Sequence, residues 1–188
     1  MNICKFFISL FFVIELIVVC MAEDWPRFRG VNGQGISSQA VPTQWSEDKN
    51  IKWRCKLPGP GSSSPVIYRN KIFITSFSGV TTGDQDPSKL VRHIVCVDKE
   101  KGTIIWKDTV KATQPEDPYS GFLVEHGYAS NTPLIDSGRL FVYLGKSGIH
   151  CYSLDGKKLW QKSLGTGSTR RKWGSAASPI IYKNTLIV

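Results

Sequence analysis

Short apolar runs separated by polar turns follow one another along most of this chain. Three segments align, each reading as a proline, an apolar run, a polar turn and a second apolar run: residues 63–74, 131–142 and 177–188. Runs of this length bounded by turn residues are typical of β-hairpins. Beyond residue 22 no stretch has a helical period of useful length. The pattern therefore predicts an all-β chain.

A second kind of hairpin follows the first kind twice. Each copy closes with an Asp, a turn Gly and a Trp in that order: Asp98, Gly102 and Trp106 in one, Asp155, Gly156 and Trp160 in the other. Asp and Gly are residues that tight turns favour. Residues 51–56, which include Trp53, look like the closing strand of a further unit without its earlier strands. One complete unit is therefore four short strands ending in Trp.

The units repeat at about the length of a propeller blade. Trp53, Trp106 and Trp160 are 53 and 54 residues apart, and a blade with its connections takes about 40–50 residues. Four-stranded units in series predict an antiparallel β-propeller. We predict a partial propeller over residues 51–188, which consists of the closing strand 51–56, blade 63–109, blade 131–163 and the start of the next blade at 177–188. Closed propellers have about 4–8 blades, so we expect an incomplete ring and an N-terminal fragment of a longer protein.

These repeats resemble the pyrroloquinoline-quinone-like (PQQ-like) β-propeller repeat, in which an apolar strand ending in Asp, a Gly turn and a strand ending in Trp follow one another. The opening Asp24-Trp25-Pro26-Arg27-Phe28-Arg29-Gly30 is also similar to the N-terminus of secreted bacterial members. The resemblance covers nearly all of residues 24–188. It implies a fold more than a function, because this repeat serves quinoprotein dehydrogenases, outer-membrane assembly lipoproteins and other secreted proteins.

Residues 1–22 have the layout of a secretory signal peptide. Lys5 supplies a positive charge, residues 6–21 are almost continuously apolar, and Cys20 and Ala22 are small residues at a cleavage site. The apolar run is shorter than the roughly 20 residues of a membrane-spanning helix. We therefore predict an exported protein, periplasmic or secreted, in which residues 23–50 form an N-terminal extended segment.

Two alternatives would keep the chain at a membrane. The N-terminus could remain uncleaved as an anchor, or Cys20 could carry a lipid. Lipidation is disfavoured because Val19 stands where a lipobox has Gly, Ala or Ser. The odd set of Cys55, Cys96 and Cys151 remains beyond residue 22 and cannot pair fully within the chain. We expect Cys96 and Cys151 to be buried apolar core residues.

The extra length of the chain is concentrated between particular strands. In antiparallel blades, the turns after the first and third strands share one face, and the loops after the second and fourth share the other. The first set is uniformly tight, whereas the second contains the long segments 78–91, 110–130 and 164–177. Insertions confined to one face often mark a binding face. We predict that a protein or a small-molecule ligand binds this long-loop face.

The candidate binding residues on the long-loop face are His126, Tyr128, Arg170, Arg171 and Trp173. Histidine can transfer protons or bind metals, and arginines beside a Trp suit a phosphate or an acidic surface. No Ser-His-Asp or Cys-His spacing predicts a catalytic residue. The loop carboxylates, Asp84, Asp86, Glu116 and Asp117, are expected to face solvent and not to bind calcium. The net charge of +9 predicts a basic surface, but no nucleic-acid reader motif accompanies it.

Three functions follow from these observations. The favoured one is an exported binding or protein-interaction scaffold, which needs no catalytic constellation. The resemblance also allows a PQQ-dependent dehydrogenase, a class that oxidises alcohols or sugars with the quinone and has a calcium ion beside the quinone. The adjacent Cys pair of its alcohol-oxidising branch and a recognisable calcium set do not occur here. The third, an assembly factor for outer-membrane proteins, would require a lipidated Cys.

Overall fold

A computed structural model describes residues 23–188, so the signal-peptide prediction and Cys20 lie outside the described residues. The described strands are β1 (Val66–Tyr68), β2 (Lys71–Ser78), β3 (Val91–Asp98), β4 (Ile104–Lys111), β5 (Leu134–Asp136), β6 (Arg139–Tyr143), β7 (Ile149–Ser153), β8 (Lys158–Lys162), β9 (Ile180–Tyr182) and β10 (Thr185–Ile187). Helical structure in this part of the chain is limited to α1 (Leu123–His126) and two 3-10 turns, Pro87–Lys89 and Gly145–Ser147. No helix within residues 23–188 is long and apolar enough to cross a membrane.

The strands form two four-stranded antiparallel blades and one hairpin. The first blade has the order β1-β2-β3-β4, the second blade β5-β6-β7-β8, and the third hairpin pairs β9 with β10. Strands adjacent in sequence are adjacent in each sheet, as in a propeller blade. The all-β, propeller-like prediction is confirmed, and the described strands do not close a ring.

Residues 51–56 differ from the prediction. They form no strand, because no described strand lies beside them to complete a ladder. β8 shows a related effect: it is exposed along its whole length, whereas β3 is buried from Arg92 to Val97. The difference follows from position, because β3 is an interior strand of its blade and β8 is an edge strand.

The main core lies between the first and second blades. Its buried residues are Val66, Phe73, Ile94 and Cys96 from the first blade and Ile135, Leu140, Val142, Leu144 and Tyr152 from the second blade and its flank. Cys96 and Cys151 are both fully buried and unpaired, as expected. Burial raises the pKa of the Cys96 thiol to about 11. This thiol therefore stays protonated near neutral pH and packs as a small apolar group.

The repeated Trp and Gly residues join one unit to the next. The Trp53 ring lies on Gly102 and the Trp106 ring lies on Gly156, so closely that an added Cβ would be 2.4 Å and 2.8 Å from ring carbons. Each indole N–H also donates to a carbonyl of the same turn, Trp53 to Lys99 at 2.8 Å and Trp106 to Leu154 at 3.1 Å. Trp53 is thus placed like a closing Trp although its segment forms no strand. Trp160 contacts Phe141 within its own blade, at 5.9 Å between ring centroids.

The two repeat aspartates are not structurally equivalent, contrary to the sequence alignment. Asp98 ends β3, stands opposite Lys71, and accepts two backbone N–H groups of its own turn at 2.8 Å. Asp155 lies beyond the end of β7 and forms an ion pair with Lys71 across the blades. Ser153 holds the position opposite Arg139 that corresponds to Asp98. The two turns differ in length, so matching them by their Asp residues shifts the strands out of register.

The hydroxyl residue before each repeat proline links adjacent units. The backbone N–H of Ser64 donates to Thr132 Oγ1 at 3.0 Å. In the same way, the backbone N–H of Thr132 donates to Ser178 Oγ at 3.0 Å. The Ser or Thr before each repeat proline therefore takes part in a polar contact between neighbouring units, which its position in the sequence did not indicate.

We expect Thr132→Val to lower the free energy of unfolding by about 1–2 kcal/mol, because it removes the acceptor of the Ser64 N–H at a buried position. Urea unfolding of the full chain measures this change. Thr109→Val, at an exposed position of β4, is the matched control and should change stability little. Equal losses in the two variants would contradict a role for the hydroxyl.

The N-terminal segment crosses from the first blade to the second. Trp25 and Ile67 exchange two backbone hydrogen bonds, of 2.8 Å and 2.9 Å, along the edge of β1 that does not pair with β2. The carbonyl of Pro26 then accepts the backbone N–H of Ile135 at 2.7 Å. The segment therefore connects the first strands of both blades and brings Arg27 and the residues after it close to the second.

Candidate functional site

The long loops after β2, β4 and β8 leave the same edge of their sheets, because neighbouring strands in each sheet are antiparallel. The 3-10 turn Gly145–Ser147, between β6 and β7, lies at this edge as well. The loops after β4 and β8, together with this turn, surround a cavity of about 190 Å³. Its walls come from residues 116–128, 143–146 and 165–175, and Arg92 reaches it from β3.

A buried ion pair lies at the wall of this cavity. Arg92 Nη1 is 2.9 Å from Glu116 Oε1, and the two side chains are only 3% and 4% exposed. Arg92 also donates from Nε to the Tyr128 carbonyl and from Nη1 to Ser147 Oγ, both at 3.2 Å. The guanidinium therefore ties β3 to two loops of the long-loop face.

A second, partly buried ion pair lies beside the first. Lys146 Nζ is 3.3 Å from Asp117 Oδ1, and it donates to the Pro115 carbonyl at 2.9 Å and to Ser168 Oγ at 2.7 Å. Ser168 in turn donates to Asp117. These contacts join the loop after β4, the turn after β6 and the loop after β8.

The expectation that the loop carboxylates face solvent is wrong for Glu116 and Asp117. Both are enclosed because cations from other parts of the chain, Arg92 and Lys146, pair with them. The sequence carried one usable signal, a charged Arg92 inside a mostly apolar strand. Lys146 sits in a polar turn and gave none. Asp84 is exposed as expected, and pairs with Lys89 on the surface.

Tyr128 forms part of the cavity wall. It is buried, its ring stacks on Tyr119 with centroids 5.5 Å apart, and it meets Phe77 edge-on at 5.6 Å. Its hydroxyl donates to the Asp117 carbonyl at 2.5 Å. Burial, followed by the nearby Glu116 carboxylate, raises the pKa of Tyr128 above its usual range. The hydroxyl is therefore neutral and already engaged.

Three of the candidate residues meet at the surface, together with one that the sequence did not single out. We call Phe122, His126, Arg171 and Trp173 the aromatic patch. The Phe122 and Trp173 rings are 5.1 Å apart, and the Arg171 guanidinium lies 4.7 Å from the Trp173 ring centre. Phe122 and Trp173 are 55% and 43% exposed. Arg170 is exposed on the same loop, and forms no hydrogen bond with the residues described here.

His126 holds the aromatic patch together. Its Nε2 donates to the Trp173 carbonyl at 2.8 Å, and its Nδ1 lies 2.7 Å from Ser130 Oγ. Both ring nitrogens are thus used within the protein, which gives His126 a positioning role here.

The helix α1, which carries His126, is followed by Gly127 with a φ of +67°. An added Cβ there would be 2.3 Å from the Phe77 ring, so glycine is required.

The residues of the long-loop face do not fit the calcium that accompanies PQQ. Within residues 23–188, no three His, Cys, Asp or Glu side chains are grouped to hold a metal ion. The two carboxylates at the cavity are paired with Arg92 and Lys146. The described part of the chain therefore offers no carboxylate set for calcium beside a quinone.

Comparison with models of protein families gives a match. A PQQ-repeat family model, described as outer membrane protein assembly factor BamB, matches residues 88–188. The match extends from just before β3 to the third hairpin, which is more than half of the chain. A comparison with curated proteins finds no match.

Proposed function

This chain belongs to the PQQ-repeat family described as outer membrane protein assembly factor BamB, and from that premise we propose that it is an exported propeller that binds other proteins through its long-loop face. The aromatic patch is the observation that carries the proposal. The exposed rings of Phe122 and Trp173 contact each other beside Arg171, and Trp and Arg are among the residues most enriched at the centres of protein interfaces.

The surroundings of the aromatic patch support a binding role. His126 fixes the backbone of Trp173, and the buried Arg92–Glu116 and Lys146–Asp117 pairs connect the loops below. Side chains that are already ordered lose less conformational entropy when a partner binds. The aromatic patch can therefore contribute more of its contact energy to affinity than mobile side chains would.

The charge around the aromatic patch indicates the chemistry of the partner. Arg170, Arg171 and Lys172 are consecutive and exposed, in a chain of net charge +9. Complementary charges steer association and select partners. We propose that the partner presents an apolar side chain surrounded by Asp or Glu.

The proposed location is outside the cytoplasm, in the periplasm or secreted. The family description names an outer-membrane assembly factor, and residues 1–22 have the layout of a signal peptide. An uncleaved or lipidated N-terminus would attach the protein to a membrane without changing the binding face proposed here. An assembly-factor role is one form of this protein-binding proposal.

Photocrosslinking tests the proposal. We expect p-benzoylphenylalanine in place of Trp173, in the exported full chain, to give a discrete protein adduct. The same group in place of Trp45, an exposed residue of the N-terminal segment, is the control and should not give that adduct. Adding Arg171→Glu should remove the adduct at position 173 by reversing the charge that attracts an acidic partner. An adduct that forms equally at both positions, or that survives Arg171→Glu, would contradict the proposal.

A second experiment distinguishes the proposed binding scaffold from a PQQ-dependent dehydrogenase. Full-length protein is mixed with PQQ and calcium, and both quinone absorbance and dye-linked alcohol oxidation are recorded. A scaffold gives no turnover. Stoichiometric quinone binding with turnover would show that the chain is part of a dehydrogenase.

A further inference from the structure

A second pocket lies between the N-terminal segment and the residues that precede the repeat prolines. Its volume is about 490 Å³, within the range of about 300–1,000 Å³ that is usual for small-molecule sites. We call it the arginine pocket. Its polar lining includes Arg27, Arg29, Ser62, Thr132 and Ser178. Phe28 and Ile180 provide apolar surface.

The charge of the arginine pocket is one-sided. Arg27 and Arg29 line it, and no Asp or Glu is among its described lining residues. This contrasts with the cavity described above, where each buried cation has a carboxylate partner. A guanidinium presents several N–H groups in a planar fork that matches carboxylate and phosphate oxygens.

Arg27 is held in place by the segment that carries it. Its Nε donates to the Gly30 carbonyl at 3.1 Å and its Nη2 to the Val31 carbonyl at 2.8 Å. Nη1 forms no hydrogen bond with a described residue. The guanidinium is therefore oriented before any ligand arrives and keeps N–H groups for it.

The hydroxyls in the arginine pocket are also available as donors. Thr132 Oγ1 and Ser178 Oγ each accept a backbone N–H at 3.0 Å. Neither donates its own proton to any residue in the described part of the chain. An oxygen that already accepts in this way has its O–H free for a ligand acceptor. The polar groups available here are thus predominantly donors, which suit an anion.

From this juxtaposition we infer that the arginine pocket binds an oxyanion, a carboxylate or phosphate group carried by a small ligand. Arg27 and Arg29 supply charged N–H groups, and the Thr132 and Ser178 hydroxyls supply neutral donors. The apolar surface of Phe28 and Ile180 contacts the remainder of the ligand. His126 lines this site and also belongs to the aromatic patch, whereas the exposed Phe122 and Trp173 rings are not part of the lining. Occupancy of the site does not require a protein partner.

Calorimetric titration of the full chain at constant ionic strength tests the inference, with citrate and pyrophosphate as separate probes. We expect saturable binding of at least one probe, with one site per chain. Arg29→Gln should weaken that binding roughly tenfold or more, because it removes charge-assisted hydrogen bonds. Arg29 is exposed, and its guanidinium donates one hydrogen bond among the described residues, to the Gln34 carbonyl at 3.5 Å, so the fold should be retained. Circular dichroism checks this.

Arg139→Gln is the matched control, since it makes the same charge change at the opposite, short-turn edge of β6. It should alter binding less than twofold. Binding of citrate alone identifies a carboxylate ligand, binding of pyrophosphate alone identifies a phosphate ligand, and binding of both identifies a general oxyanion site. Absence of saturable binding, or equal weakening by Arg29→Gln and Arg139→Gln, would overturn the inference.

Discussion

Trp106→Ala is expected to lower the free energy of unfolding by about 3 kcal/mol or more, the usual cost of truncating a packed aromatic residue. The Trp106 ring stacks on Tyr152 with centroids 6.1 Å apart and contacts Phe73 at 5.9 Å. It also covers Gly156 and donates to the Leu154 carbonyl. The substitution therefore removes packing within the first blade and its attachment to the second. Urea unfolding of the full chain measures the loss.

Two further variants show whether the loss arises from attachment between blades. Gly156→Ala should also destabilise the chain, because its Cβ would be 2.8 Å from the Trp106 ring and its φ is +90°. Trp45→Ala removes an exposed ring and should change stability little. If Gly156→Ala is as stable as the unsubstituted chain, the close contact of Trp106 with this turn is not a source of stability.

Arg92→Met should lower the free energy of unfolding by about 3–5 kcal/mol, the range seen when one partner of a buried ion pair is removed. The reason is that Glu116 would remain enclosed without its cation. Replacing both members, with Arg92→Met and Glu116→Leu, should recover much of the loss, since no unpaired charge then stays buried. Chemical unfolding of both single variants and the double variant gives the coupling energy of the pair.

The exposed pair Lys52–Glu100 provides the matched control. Its side chains are 62% and 57% exposed, and surface pairs contribute about 0–1 kcal/mol. Lys52→Met should therefore cost much less than Arg92→Met. Similar costs for the two substitutions would mean that the Arg92–Glu116 pair is solvated in the folded protein.

The sequence predicted a large part of the fold because strand patterns and turns are local. Apolar runs separated by polar turns predicted the four-stranded units. An odd number of cysteines without a metal or redox motif predicted that Cys96 and Cys151 are buried. Loop lengths, together with the alternating strand directions of a blade, predicted which edge of the sheets carries the long loops. The same local reasoning failed for residues 51–56, because a strand also needs a neighbouring strand to pair with. It also failed for Asp155, because the two turns differ in length and aligning their Asp residues does not align the strands.

The charged sites required the tertiary structure. Arg92 and Glu116 are 24 residues apart in sequence, and Lys146 and Asp117 are 29 apart. Except for the apolar residues around Arg92, nothing local distinguishes these four residues from solvated charges. The aromatic patch joins two loops, and the arginine pocket joins the N-terminal segment to Thr132 and Ser178, which precede two of the repeat prolines. By itself, the sequence determined where most of the strands and turns lie and on which face the long loops lie, because those features repeat along the chain. Only the tertiary structure decided which charges are buried and which remain available to a ligand, because this depends on loop paths that bring distant residues together.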